Sequence, residues 1–234
     1  MARQFYRHEI RRRKSEGGQK SEFKNFNQFM EKSESLKLLE DEMIGDKLLP
    51  LRESNLVFGE GNPEAKVVFI GEAPGFHEDR LKRPFVGRGG QLLERLINEI
   101  GWRRDQVYIT NIVKRRPPEN RDPLPEEIEA YRPYLTRQIE IIDPKIIVAL
   151  GRFAMNYFLP EAKITRDQGK VFDVDGRLVV PMFHPAAALR GNNAMAQFTE
   201  TMKKLPDVEA MPRETMPRSE SATKKPLHPQ SRLF

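Results

Sequence analysis

Four short apolar runs, separated by helical patterns, limit how this chain can fold more than any other feature. The runs cover residues 67–70, 107–110, 146–150 and 178–183. Each is rich in β-forming residues and ends at Gly, Asn or a His-Pro pair, which is typical of buried strands rather than helices. The runs therefore predict four strands that are apolar on both faces.

Helical patterns lie between the predicted strands. Residues 91–100 place Leu92 and Leu96 on one face and stop at Gly101, a residue that commonly ends a helix. Residues 126–142 repeat apolar positions after two prolines, and a third helix begins near residue 151. Alternation of apolar strands with helices predicts an α/β fold, in which a mostly parallel sheet carries helices on both faces.

The loops after the predicted strands carry most of the chemically useful side chains, because ligands of such sheets bind beyond the carboxyl ends of the strands. These side chains are Glu72, Glu78, Asp79, Phe85, Asn111, Asn120 and His184. Each has an ordinary structural alternative: Phe85 as a packing residue, His184 as a hydrogen-bonded histidine, Glu72 as an anion near a helix terminus. Their collection at one rim favours a pocket for a flat heterocycle. The glycines match neither GxxxxGK[ST] nor GxGxxG, which disfavours a nucleotide cofactor.

The two ends of the chain differ from its middle. The formal net charge is +6, and the basic excess lies towards the termini. We expect residues 1–34 to be a basic, disordered extension, residues 35–205 to form the folded domain, and residues 206–234 to be a disordered tail. With no apolar run of membrane-spanning length, the sequence predicts a soluble, cytoplasmic protein. The absence of Cys excludes disulfides, thiolate metal sites and a Cys nucleophile.

Three segments match a known family in order and spacing. They read GEAPG followed by ED and PFVGRGGQLL, then YITNIVKRRPPENRDP, then FHPAAALR. From about Leu49 to about Lys204 the chain resembles the family-4 uracil-DNA glycosylases. The resemblance implies a three-layer αβα fold around a central four-stranded parallel sheet. It also implies hydrolysis of the N-glycosidic bond of deoxyuridine in DNA, which releases uracil and leaves an abasic site in the first step of base excision repair.

The sequence departs from this family at the iron–sulfur cluster. Family members usually ligate a [4Fe–4S] cluster through four cysteines, whereas the matching positions here hold Asp46, Leu49, Arg115 and Tyr131. We therefore expect no cluster and no other metal or cofactor. Contacts of Asp46 with Arg115, or of Leu49 with Tyr131, are a hypothesis for what replaces it.

The resemblance assigns three residues to recognition and departure of the base. An enzyme acting on a base must swing it out of a duplex or bind it already unpaired. Phe85 would stack on the extruded ring, and Asn111 would accept from uracil N3–H and donate to O4, a pattern that cytosine reverses. His184 would donate to uracil O2 as negative charge develops there.

Four further residues complete the implied pocket. Glu72 and Asn120 correspond to residues proposed to hold the attacking water or to stabilise the cationic sugar, and the sequence does not choose between these roles. Glu78 corresponds to a position near the 5-edge of uracil, where it would help to exclude thymine. Ala73 would contribute its backbone N–H.

Contacts with the DNA strand are expected from a loop and from several cations. Leu189 would act as a wedge and Arg190 as a phosphate ligand in the loop that the family inserts into DNA. The further phosphate contacts predicted are Arg88, Lys114, Arg116 and Arg121.

The last residues suggest a second partner. Gln230, Leu233 and Phe234 complete the Q-x-x-L-F pattern of peptides that bind bacterial sliding clamps. We expect the protein to act as a monomer near the nucleoid. Two alternatives stay open: a non-catalytic binder of uracil-containing or single-stranded DNA, and a glycosylase for another deaminated base such as hypoxanthine.

Overall fold

The computed structural model of the chain describes residues 16–210, and a six-stranded sheet lies at its centre. The strands are β1 (Glu60–Gly61), β2 (Val67–Gly71), β3 (Tyr108–Asn111), β4 (Ile146–Leu150), β5 (Phe172–Val174) and β6 (Arg177–Met182). Their spatial order is β1-β3-β2-β4-β6-β5. The four inner strands run parallel, which confirms the predicted parallel centre, and they are the four apolar runs of the sequence.

Helices cover both faces of the sheet. They are α1 (Glu16–Gly45), α2 (Phe76–Leu81), α3 (Arg88–Glu99), α4 (Pro125–Ile142), α5 (Arg152–Phe158), α6 (Ile164–Asp167), α7 (Pro185–Ala188) and α8 (Asn192–Ala210). Two 3-10 turns lie at Arg104–Gln106 and Pro118–Asn120. None of the helices in the described part of the chain combines the length and apolar character that a membrane crossing requires.

The core consists of two apolar layers, one on each face of the sheet, because successive strand residues point to opposite faces. Val68 and Ile70 of β2 pack with residues of α1, α4 and α5 on one face. Val67 and Phe69 pack with residues of α3 and α8 on the other. This arrangement confirms the predicted three-layer αβα architecture.

The edge strands were not predicted from the sequence. β1 pairs antiparallel with β3, and β5 pairs antiparallel with β6. Both are only two or three residues long and are not fully buried, so neither produces the apolar run by which a buried strand is detected.

Helices reach past residues 35–205, the range expected for the folded domain, at both ends. α1 begins at Glu16, and Leu36, Leu39 and Met43 lie in the core while Lys32 Nζ donates to the carbonyl of Ile142 at 2.8 Å. α8 continues to residue 210, with its late residue Val208 only 5% exposed. Residues 1–15 and 211–234, where an extension and a tail were expected, lie outside the described residues.

Candidate functional site

A cavity of about 880 Å³ opens at the carboxyl ends of the parallel strands. It is lined by the loops that follow β2, β3, β4 and β6, as the position rule for such sheets predicts. Seven residues predicted for catalysis or substrate binding line this one cavity: Glu72, Ala73, Glu78, Phe85, Asn111, Asn120 and His184. Three predicted DNA contacts, Arg88, Arg121 and Arg190, line it as well.

The floor of the cavity is formed where β2 and β3 end side by side. Gly71 is the register partner of Asn111. A β-carbon at Gly71 would lie 2.4 Å from Phe85 Cζ and 2.5 Å from Asn111 Oδ1. Because both distances are far below van der Waals contact, only glycine leaves Phe85 and Asn111 in place. Glycine at position 71 therefore leaves room behind the cavity wall for the two side chains that line it.

The backbone at Phe85 adopts a conformation that bulky residues rarely take. Its φ is +52°, in the left-handed region. A β-carbon at Gly90 would lie 1.9 Å from Phe85 O, so a glycine is required there. Strain of this kind persists only where the surroundings enforce it, and it is common at functional sites.

Two charged side chains hold the loop that carries Phe85. Glu78 Oε1 accepts from the N–H groups of Val86 and Gly87 at 2.9 and 2.7 Å. Arg104 donates to the carbonyl of Pro84 at 2.5 Å, and its guanidinium also pairs with Glu60. Glu78 lines the cavity as expected, but this carboxylate oxygen is engaged with the loop. Arg104 was not predicted as a site residue.

His184 has a defined tautomer. It caps the first turn of α7, where Nδ1 accepts from the N–H of Ala186 at 3.2 Å. The pKa of His184 is lowered to about 4, chiefly by burial and also by Arg190, while Glu78 acts in the opposite direction. The ring is therefore neutral near pH 7, and with Nδ1 acting as acceptor its proton lies on Nε2. His184 thus offers an N–H donor. Its ring centroid lies 5.8 Å from that of Phe85, so the donor is close to the stacking ring.

Glu72 has a strongly perturbed carboxyl group. Its pKa is raised to about 7, chiefly by burial and also by Asp122, while Arg152 acts in the opposite direction. Asp122 and Arg152 form an ion pair with each other and also line the cavity. Neither was predicted as a site residue. A carboxyl group that titrates near neutrality is suited to accepting a proton during catalysis.

Asn120 lies on a strained turn. Glu119 and Asn120 have φ values of +54° and +56°, and Asn is among the residues that tolerate this region best. Arg116 Nε donates to Asn120 Oδ1 at 2.7 Å. Because its amide oxygen is occupied, Asn120 retains its NH₂ group as the donor.

The predicted DNA contacts divide into accessible and inaccessible groups. Leu189 is 40% exposed, and Arg88 and Arg190 are exposed at the cavity. Arg121 is also exposed, but two of its nitrogens are bonded to Glu127 at 2.9 and 2.6 Å. Arg116 is half-buried through its contact with the turn described above. Leu189, Arg88 and Arg190 are therefore accessible to a DNA strand.

The prediction of a phosphate contact at Lys114 is wrong. Its side chain is fully buried, and Nζ donates to Thr110 Oγ1 and Gln138 Oε1, each at 2.5 Å. Burial holds the pKa of Lys114 well below its usual range. A side chain enclosed in this way cannot reach DNA, and nothing in the basic run Lys114-Arg115-Arg116 indicates that its first residue is buried.

The residues at the four cluster positions do not fit an iron–sulfur cluster. Tyr131 OH donates to Pro50 O at 2.7 Å, Leu49 is 4% exposed in the core, and Arg115 donates to the carbonyl of Ser54. Asp46 accepts from Tyr134 OH at 2.6 Å, so the hypothesised pair of Asp46 with Arg115 is not formed. Leu49 and Tyr131 do belong to one core cluster. Within residues 16–210 no group of three or more His, Asp or Glu side chains is arranged to hold a metal ion.

The predicted clamp-binding residues Gln230, Leu233 and Phe234 lie outside the described residues, so the geometry of the site does not include them.

Comparisons with known proteins identify relatives of this chain. The model of the uracil DNA glycosylase superfamily matches residues 58–206. A type-4 uracil-DNA glycosylase of Sulfurisphaera tokodaii is 45% identical over 192 residues, which cover 77% of this chain and 87% of that protein. Those of Thermotoga maritima and Saccharolobus solfataricus are 49% and 52% identical, over 62% and 58% of this chain and 77% and 67% of their own lengths.

Proposed function

The chain belongs to the uracil DNA glycosylase superfamily, and we propose that it hydrolyses the N-glycosidic bond of deoxyuridine in DNA at the cavity described above. It is a DNA repair enzyme that releases uracil and leaves an abasic site. The observation that carries the proposal is the convergence of Phe85, Asn111 and His184 on one cavity.

Recognition of the base rests on Phe85 and Asn111. Stacking on an aromatic ring contributes about 1–3 kcal/mol per base, and Phe85 presents such a ring in a fixed position. Asn111 is 2% exposed and lies beside that ring at the cavity floor. Its amide would accept from N3–H and donate to O4 of uracil. Cytosine would leave both groups mispaired, at a cost of about 1–3 kcal/mol for each.

Departure of the base depends on His184. As the bond between C1′ and N1 breaks, both electrons go to the uracil ring, and negative charge develops at O2. The Nε2–H of neutral His184 would donate to that oxygen. A hydrogen bond to a charged group contributes about 1.5–3 kcal/mol, and because this charge develops only in the transition state, it increases the rate rather than the affinity.

Attack by water depends on Glu72 and Asn120. The water oxygen bonds to C1′ of the sugar and its proton passes to the carboxylate of Glu72, whose pKa of about 7 suits that role. Asn120 would hold the same water through its NH₂ group, because its amide oxygen is bonded to Arg116. The backbone of Ala73 borders this part of the cavity.

Exclusion of thymine is assigned to Glu78 through the loop that it fixes. Since Glu78 accepts from Val86 and Gly87, it determines how closely the loop of Phe85 approaches the 5-edge of the base. A methyl group at that edge would meet a loop that cannot easily retreat.

The surrounding cations and one apolar side chain would hold the DNA strand. We assign phosphate contacts to Arg88 and Arg190, with Leu189 as the wedge that occupies the space of the extruded nucleotide. Arg121 and Arg116 would reach phosphate only by reorienting their present contacts. The enzyme would act on chromosomal DNA at the nucleoid, as a monomer.

We further propose that this enzyme works without an iron–sulfur cluster. Core packing of Leu49 and the hydrogen bonds of Tyr131 and Asp46 support this, since they fill the region that a cluster would need. Iron analysis of purified protein, together with excision before and after chelation, tests it. Iron in stoichiometric amount, or loss of activity on chelation, would contradict it.

The C-terminal Q-x-x-L-F sequence would tether the enzyme to a sliding clamp on newly replicated DNA. Leu233 and Phe234 would fill an apolar pocket and Gln230 would fix the register. Removal of residues 230–234 should abolish retention on immobilised clamp while leaving excision unchanged. Equal retention of the truncated and full chains would refute the tether.

The experiment that tests the main function uses oligonucleotides that carry uracil, hypoxanthine or xanthine at one position. After incubation with the protein, alkali cleaves the strand at any abasic site. Cleavage of the uracil strand alone supports the proposal. Binding without cleavage would indicate a non-catalytic binder, and preferential cleavage at hypoxanthine would indicate another substrate.

A further inference from the structure

An exposed aromatic ring stands at the mouth of the cavity, apart from the ring of Phe85. Phe76 is the first residue of α2, and it is 51% exposed although it lines the cavity. The ring of His77 meets it edge to face, with the centroids 5.5 Å apart. This contact holds the ring of Phe76 in place at the rim, where it keeps much of its apolar surface open to solvent.

Arg116 lies against the same ring. The central carbon of its guanidinium is 5.2 Å from the centroid of Phe76, within the range of a cation–π contact. Its Nε bonds to the neutral amide of Asn120, so its charge is not neutralised by that contact. Phe76 is therefore an aromatic surface backed by a cation, and it is connected to the turn that carries Asn120.

The proposed recognition of uracil does not need Phe76. Phe85 and Asn111 in the lining of the cavity already provide a stacking ring and an amide for one base. The cavity of about 880 Å³ is much larger than one pyrimidine ring, and Phe76 lies at its rim with Arg190 also in the lining. A strand that delivers one nucleotide to the floor must pass its neighbours across this rim.

We propose that Phe76, backed by Arg116, is a stacking site for the unpaired base next to the extruded uracil in single-stranded DNA. The inference rests on the proposed function and adds a second base-binding site to it. Rings beside cations bind unpaired bases of any sequence, because each base has a flat face. In a duplex the neighbouring base stays paired and stacked within the helix, so the site favours single strands.

The test measures binding of a short single strand that contains 2′-fluoro-deoxyuridine, whose fluorinated sugar resists cleavage. The strand carries either a normal base or a reduced abasic residue beside the uracil, on each side in turn. Removal of the base that stacks on Phe76, on one side of the uracil only, should weaken binding by the unaltered enzyme about tenfold. Phe76→Ala should weaken binding of the intact strand by about the same factor. Removal of the neighbouring base should then weaken binding by this variant no further.

Two variants serve as controls. Phe76→Tyr keeps a flat ring and should bind within about twofold of the unaltered enzyme. Phe29→Ala removes a ring that is 38% exposed on α1, outside the cavity lining, and should bind normally. Thermal unfolding of each variant establishes that it is folded. The loss with Phe76→Ala should be smaller on duplex DNA than on the single strand.

Two results would overturn the stacking site. One is normal binding by Phe76→Ala, and the other is a loss that is the same with and without the neighbouring base. Uracil release from ordinary deoxyuridine by the unaltered enzyme is measured in parallel. This assay tests the proposed function independently of the stacking site. If uracil is released and either result is found, only the stacking site is wrong.

Discussion

Replacing Glu72 by Gln should slow excision and stabilise the fold above neutral pH. Burial raises the pKa of Glu72 from 4.5 to about 7. At about 1.4 kcal/mol per pKa unit, this rise corresponds to at most ~3.5 kcal/mol, and partial exposure reduces it to about 1–2 kcal/mol. The folded state binds the proton more tightly than the unfolded state. The contribution of protonated Glu72 to the unfolding free energy is therefore complete at low pH, and it is lost as the pH rises from about 4.5 to about 7.

Above that range the unaltered protein carries an ionised, desolvated carboxylate, whereas Glu72→Gln does not. Denaturant unfolding at about pH 8 should show the variant more stable by about 1–2 kcal/mol. Excision should fall by about 10²- to 10⁴-fold, because a general base has been removed. The rate of the unaltered enzyme should rise with pH and reach a plateau above about pH 7. The rate of the variant should lack this rise.

Glu53→Gln is the matched control, since Glu53 is exposed and lies outside the cavity lining. It should leave the unfolding free energy and the pH profile unchanged. The reasoning is refuted if Glu72→Gln excises uracil at the unaltered rate with the same pH profile. It is equally refuted if the variant is less stable than the unaltered protein at about pH 8.

Four further substitutions test other parts of the account. His184→Ala should slow uracil release by about tenfold or more in single-turnover assays while thermal unfolding stays close to normal; an unchanged rate would remove the leaving-group role. Asn111→Asp should lower the ratio of uracil to cytosine excision by about tenfold, measured on paired oligonucleotides. Gly71→Ala should reduce excision by about 100-fold, because its methyl group displaces the ring and amide at the cavity floor; normal activity would contradict the geometry. Lys114→Met should remove the part of the unfolding free energy that rises with pH below the ordinary pKa of lysine, since burial lowers the pKa of Lys114 in the folded state and protons bind preferentially to the unfolded state; denaturant unfolding across that pH range measures it.

The sequence predicted the parallel centre of the sheet well, because buried strands appear as apolar runs. The predicted run 146–150 coincides with β4. The helix predicted at 91–100 begins earlier, at Arg88, since Gly89 and Gly90 disfavour a helical interpretation of its first turn. Gly90 is needed there because the carbonyl of Phe85 leaves no room for a side chain. The tertiary structure requires glycine at position 90, and this glycine is why the sequence pattern does not indicate the first turn of the helix.

The site was predictable where side chains follow directly from strand ends, and unpredictable where long-range contacts decide. Phe85, Asn111 and His184 meet because the loops of parallel strands share one rim. Contacts that join distant segments, such as Arg104 with the carbonyl of Pro84, leave no periodic signal in the sequence.

Lys114 illustrates the same limit. Within KRR it looks like a surface cation, yet the fold directs its side chain towards Gln138 of α4 in the interior. Burial of a lysine depends on polar partners from other elements, which no local pattern reveals.

The most direct test of the account is the release of uracil from a single-stranded oligonucleotide by purified protein, with strand cleavage by alkali as the readout. We predict cleavage at the uracil position alone, abolished or strongly slowed in Gly71→Ala. A folded, purified protein that binds the uracil strand but never yields an abasic site would contradict the claim that this cavity breaks the glycosidic bond.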